Sequence, residues 1–96
     1  MEFAETIGRL YLLKRDNKNI ATKMITYFLE HVRSRYYIST GILNNEFAQL
    51  LTAKSGQPAS QTEILLRTIE RVNIRDNISD LELLELNTLL RQFTQG

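Results

Sequence analysis

Apolar residues recur at helical spacing almost from the start of this chain. Phe3, Ile7, Leu10 and Tyr11 form one stripe that ends on Lys14, the pattern of an amphipathic helix. Gly8 interrupts it at a cost of about 1 kcal/mol relative to Ala, which marks either a close helix–helix approach or simple tolerance. The polar run KRDNKN then breaks the period. Within it, Asp16 or Asn17 can cap a following helix by accepting from first-turn amides.

That following helix, roughly 18–37, carries two overlapping stripes. One is Ile20, Met24, Tyr27, Phe28 and His31; the other is Ala21, Ile25, Phe28, Leu29, Val32 and Tyr36. Together they exceed the single apolar arc of a surface helix, so this segment is expected to be contacted on two sides and to form the axis of the core. ISTGILNN, after Tyr37, has no helical period and reads as a loop or short extended segment.

Asn44 or Asn45 can start the next helix, with Phe47, Leu50 and Leu51 inward. Gly56 is placed to end it, with Pro58 just beyond. Ser60 and Glu63 have the spacing of a capping box for a further helix with Ile64, Leu65, Thr68, Ile69 and Val72 inward, closed by the RDN at 75–77. Ser79 and Glu82 repeat the capping-box spacing, and Ile78 with Leu83 supplies a hydrophobic staple across it. Leu83, Leu86, Leu90 and Phe93 then follow one helix face, which Leu84 and Leu89 widen. No segment predicts a strand. The pattern predicts an all-α bundle of about five helices, a single domain over 1–96, around the helix at 18–37.

Composition adds mainly exclusions. Ninety-six residues supply one modest core. The net charge is +1, and Lys/Arg against Asp/Glu stand at 7 to 5 in residues 1–48 and 5 to 6 in residues 49–96. A DNA-binding domain usually gathers a basic face, and no such bias runs along this chain. There is no cysteine, so disulfides, zinc-thiolate sites and cysteine nucleophiles are excluded. No run of about 18 apolar residues spans a membrane, and the N-terminus lacks a signal-peptide core. The abrupt start of the amphipathic pattern at Phe3 predicts a piece of a longer protein, with Met1 an added start.

Candidate chemistry is sparse. His31 is the sole histidine, which leaves no His-ligand set for zinc and makes a catalytic triad depend on one mid-helix residue at the seam of two apolar stripes. His31 is therefore expected to be a core or boundary residue. The four glycines are isolated, so no phosphate loop is formed. No enzyme and no cofactor is expected. Residues 47–72 have the outline of a helix-turn-helix, but a turn from Gly56 to Ala59 followed by a fresh capping box predicts a looser join than the usual three or four residues. The would-be reading helix offers Gln61, Thr62, Glu63, Arg67, Glu70 and Arg71, a nearly neutral face. DNA binding through 47–72 stands as the alternative reading. Arg33, Arg35, Tyr36 and Tyr37 form a basic-aromatic group at a helix C-terminus, where cations complement the helix dipole. Arginine and tyrosine are also enriched at interface hot spots, so these four residues are the candidate partner-contact patch.

ETIGRLY at 5–11, DNKNIATKMITYFLEHVRSRYY at 16–37, AKSGQP at 53–58 and ISDLELLELN at 78–87 together resemble the C-terminal tail of uncharacterised integral-membrane proteins of Bacteroidetes-type bacteria. In those proteins an N-terminal domain of unknown function precedes a membrane span and a basic linker. The resemblance implies a tail on the cytoplasmic side of the inner membrane, since the basic linker would stay there. It also implies a link to a MoxR-type ATPase system and von Willebrand A-type proteins, and a role in assembly or maturation of a complex, by association alone. It supplies no catalytic or ligand residue. Asn17 stands where the resemblance leads one to expect histidine. The resulting expectation is a non-enzymatic helical interaction domain that binds a protein partner or itself and meets a membrane only through a missing upstream span.

Overall fold

Four helices organise residues 16–94, the part of the chain described by the computed structural model: α1 (Asn17–Tyr36), α2 (Asn45–Ser55), α3 (Ala59–Ile74) and α4 (Asp80–Thr94). They correspond to the last four of the five predicted segments, and no strand occurs among the described residues. The stripe from Phe3 to Lys14, with Gly8, lies outside the described residues.

Local signals place most of the boundaries. Asp16 caps α1, its side chain accepting from the Asn19 amide at 3.2 Å. Asn44 caps α2 by accepting from the Phe47 amide at 3.0 Å. Gly56 ends α2 in the left-handed region at φ 76°, a conformation that costs glycine little. At the start of α4 the capping box closes in both directions: the Ser79 amide donates to Glu82 Oε1 and the Glu82 amide donates to Ser79 Oγ, each at 3.1 Å. Ile78 and Leu83, the two halves of the staple, are both buried.

One predicted cap is corrected. Ser60 and Glu63 form no capping box. α3 starts earlier, at Ala59, with Pro58 in the cap position and no side-chain cap bond. The ring holds Pro58 at φ −60°, and its carbonyl accepts from the amides of Gln61 and Thr62. Ser60 is thus already inside the first turn, and Glu63 pairs instead with Arg67 at 3.6 Å. The turn between α2 and α3 shrinks to Gly56–Pro58. The predicted looser join is therefore wrong, and the turn falls within the usual helix-turn-helix length.

α1 packs on α2, α3 and α4, as its two stripes predict. Ile20, Ala21, Met24, Ile25, Phe28 and Val32 are all buried. Phe28 meets Phe93 of α4 edge to face, with ring centroids 6.2 Å apart and an interplanar angle of 74°. Four apolar positions predicted to face inward or widen the core are exposed: Tyr27, Leu50, Ile64 and Leu84. Each lies at the margin of its stripe, and the burial of Phe28, Leu51, Leu65 and Leu83 beside them turns the helix so that the margin faces out. Thr62, by contrast, is buried, and accepts from Thr52 Oγ1 at 2.8 Å across the α2–α3 contact.

Contacts at the helix ends fix the directions. Asn17 donates to the Ile78 carbonyl at 3.0 Å and to Asp80 Oδ1 at 2.8 Å, so α1 and α4 start together. Farther along both helices, Phe28 and Phe93 meet. These two helices consequently run side by side in the same direction. Lys18 reaches the carbonyls of Val72 and Asn73, which sets α3 antiparallel to them. Lys54, in the last turn of α2, donates to the Tyr36 carbonyl at 2.7 Å. Gln57 donates to the Gln92 carbonyl at 3.0 Å. One pole of the bundle thus gathers the C-terminal ends of α1, α2 and α4; the other gathers the starts of α1 and α4.

Candidate functional site

The convergence of three helix C-termini has an electrostatic consequence. Each C-terminus leaves carbonyls without intrahelical partners and carries a partial negative charge, which cations in the last turn offset. Here those cations are Arg33 and Arg35 on α1, Lys54 on α2 and Arg91 on α4. A charge that is even along the sequence is therefore gathered at this pole by the fold.

The four residues of the predicted patch all lie here and play different parts. Arg33 and Arg35 are exposed, and Tyr37 is 88% exposed. Tyr36 is only half-buried, packed against the core cluster. The Arg35 guanidinium lies 5.6 Å from its ring centroid, a cation–π arrangement, and Lys54 holds its carbonyl. Tyr36 is thus a support for the surface more than part of it.

Tyr37 closes α1 in the left-handed region, at φ 57° and ψ 40°, with its amide donating to the Arg33 carbonyl at 3.0 Å. No other non-glycine described residue has positive φ. For a residue bearing a Cβ this conformation costs about 1–2 kcal/mol. Glycine or asparagine is the usual occupant of such a position. Burial returns almost nothing to Tyr37, since its ring stands in solvent.

Sequence reasoning missed a groove along the loop that follows Tyr37. The loop turns Ile38 into the core and leaves Ile42 73% exposed. Ile38, Ile42, Phe47 and Leu50 line a groove of about 410 Å³, with Glu46 beside them. The loop was legible in ISTGILNN, but the exposure of Ile42 and its place beside Leu50 were not.

The remaining candidates are easily placed. His31 is half-buried on α1, with Nε2 buried and without a hydrogen-bond partner among the described residues. No group of three or more His, Asp or Glu side chains able to hold a metal ion occurs among the described residues. On α3, Glu63, Arg67, Glu70 and Arg71 are exposed. Of the face offered by the helix-turn-helix outline, Thr62 is buried and Gln61 half-buried, and the accessible part has as many acids as bases. A second groove, about 550 Å³, runs between α2 and α3 past Ala48, Leu66, Arg67 and Ile74. No helix among the described residues is long and apolar enough to cross a membrane.

Neither a curated protein nor a solved structure matches the chain. The family model of the DUF4350 C-terminal helical domain, by contrast, matches residues 4–96. An all-α chain whose helices are capped and ordered as described here, matched over nearly its whole length, belongs to the DUF4350 C-terminal helical domain family.

Proposed function

We propose that this domain is a non-enzymatic interaction module, the cytoplasmic-side tail of a membrane-anchored bacterial protein, and that it binds a protein partner through the pole carrying Arg33, Arg35 and Tyr37. The observation that carries the reading is the conformation of Tyr37. A large aromatic residue occupies a strained left-handed position, is 88% exposed, and would be replaced with profit by asparagine if stability alone mattered. Around it lie arginines, and tyrosine and arginine are the side chains most enriched where partners dock. Tyr36, held by Arg35 and Lys54, fixes the backbone that presents Tyr37. The membrane tether and a connection to a MoxR-type ATPase system rest on the family resemblance alone.

The test separates stability from contact. Tyr37→Asn should raise the melting temperature slightly and abolish cross-linking to the partner in cells. A variant that is more stable and still cross-links would remove the patch.

DNA binding through residues 47–72 is the second reading, favoured by the three-residue turn Gly56–Pro58 and opposed by the neutral face of α3. Phosphate contacts dominate such binding at low salt. A gel shift in low-salt buffer with no retarded band would end that alternative.

A further inference from the structure

One side of α1 faces neither of its nearest neighbours. Asn17 bonds to α4, and Lys18, the next residue, to α3, so these two helices flank the buried stripe of α1. On the side of Asn17 away from Lys18 stand Tyr27, 40% exposed, and His31, half-buried. α4 is oriented in the same way. Asp80 meets Asn17, whereas Glu82 pairs with Arg75 at the end of α3. Leu84, Asn87 and Arg91 follow Asp80 at helical spacing and so share its side, with Leu84 64% exposed. Tyr27 and His31 thus line one flank of an α1–α4 seam, and Leu84 and Asn87 the other. Each flank carries a buried polar atom that no described residue satisfies, His31 Nε2 and Asn87 Oδ1. Such a group, shut away from water without a partner, costs stability. The seam is therefore an unfinished surface.

We propose that residues 3–14 of this chain are its occupant: the stripe of Phe3, Ile7, Leu10 and Tyr11 lies along the α1–α4 seam, antiparallel to both helices. The place where the described chain begins selects this seam. Asp16 stands about three turns before Tyr27 and hence on the same side of α1, next to the Asn17–Asp80 bond at the mouth of the seam. The groove past Ala48, Leu66 and Ile74 runs between α2 and α3 instead, beyond Lys18. Length agrees as well. Phe3 to Lys14 and Asp80 to Arg91 are equally long in sequence, and as helix each spans about 16 Å. A segment running back from Asp16 fits the seam only in the antiparallel direction, which sets Leu10 opposite Leu84 and Ile7 opposite Asn87. The family match over residues 4–96 includes this stripe in the same domain as the bundle. Tethered at the mouth of the seam, the segment acts at an effective concentration of about a millimolar, ahead of a free competitor. This seat is independent of the contact surface at Tyr37.

A nitroxide spin label on Arg9→Cys in the full chain tests the seat. The 96-residue chain has no other cysteine, and Arg9 stands on the polar side of the stripe. Amide signals of residues 27–31 and 84–87 should lose most of their intensity, while those of Ala48, Leu66 and Ile74 keep theirs. Leu84→Asp puts a carboxylate in the seam and should restore the signals of residues 27–31. The dispersion of the remaining signals reports that the bundle still folds. Broadening spread evenly over the surface, broadening centred on Leu66 and Ile74, or broadening that survives Leu84→Asp overturns the proposal. So does broadening of an isotope-labelled copy by a spin-labelled, isotopically unlabelled one, which would place the segment on a neighbouring chain.

Discussion

Lys18, in the first turn of α1, donates to the carbonyl of Asn73 at 3.2 Å and to that of Val72, across 55 and 54 positions of sequence. One ammonium group thereby serves two carbonyls that α3 cannot satisfy internally, and its charge lies at the negative end of that helix dipole. Lys54 does the same for Tyr36, and Gln57 for Gln92. Three helix ends are therefore closed by side chains from elsewhere in the chain, which ties helix termination to tertiary packing.

Lys18→Met retains the aliphatic stem and removes the donor. It should destabilise the domain by about 1–2 kcal/mol, read as a lower urea midpoint with an unchanged slope. An unchanged midpoint would mean that water replaces the ammonium without cost.

Glu82 links stability to pH. Its amide partner Ser79 lowers the Glu82 pKa most, burial opposes this, and the Ser79 hydroxyl and the charges of Arg75 and Arg71 lower it further. A carboxyl whose pKa is lower in the folded than in the unfolded state contributes stability that is complete above the ordinary carboxylate value of about 4.3 and is lost as pH falls through the lower folded value. Glu82→Gln keeps a capping acceptor and removes the titration. The stability gap between wild type and Glu82→Gln should be constant at neutral pH and close in acid. A gap independent of pH down to acid unfolding would contradict this assignment.

Phe28 and Phe93 should be energetically coupled. Truncation to Ala would cost about 3–5 kcal/mol at either site, a large share of a small domain's stability, so Phe→Leu at each position is the better probe. The double-mutant cycle should give a coupling of about 0.5–1.5 kcal/mol, as expected for an edge-to-face pair. Strict additivity would show that burial alone accounts for both rings.

Tyr37→Asn should stabilise the isolated domain by about 0.5–1 kcal/mol, because asparagine tolerates the left-handed region better than tyrosine. Tyr37→Gly should gain less, since glycine gives back part of the benefit through the entropy of the unfolded chain. Thermal unfolding of the three proteins under one set of conditions gives the ranking directly.

Much of this architecture was legible from residue order. Asp16, Asn44, Gly56 and the Ser79–Glu82 pair act within one turn of where they stand, and the double stripe from Ile20 to Tyr36 identified the central helix. These features are local: a cap bonds amides two or three residues away, and an apolar stripe repeats every 3.6 residues. The Ser60–Glu63 spacing failed because a stronger local constraint, the fixed φ of Pro58, started α3 earlier. The sequence by itself therefore determined the helices, most of their ends and the all-α class. Only the tertiary structure decided which margin of each stripe is exposed, as at Tyr27, Leu50, Ile64 and Leu84, and which helix ends meet. It also brought the last-turn cations of three helices to one end of the bundle, beside Tyr37. The reason is distance along the chain: burial, helix direction and the sum of charges at a surface depend on segments tens of residues apart, whose mutual placement no local period encodes.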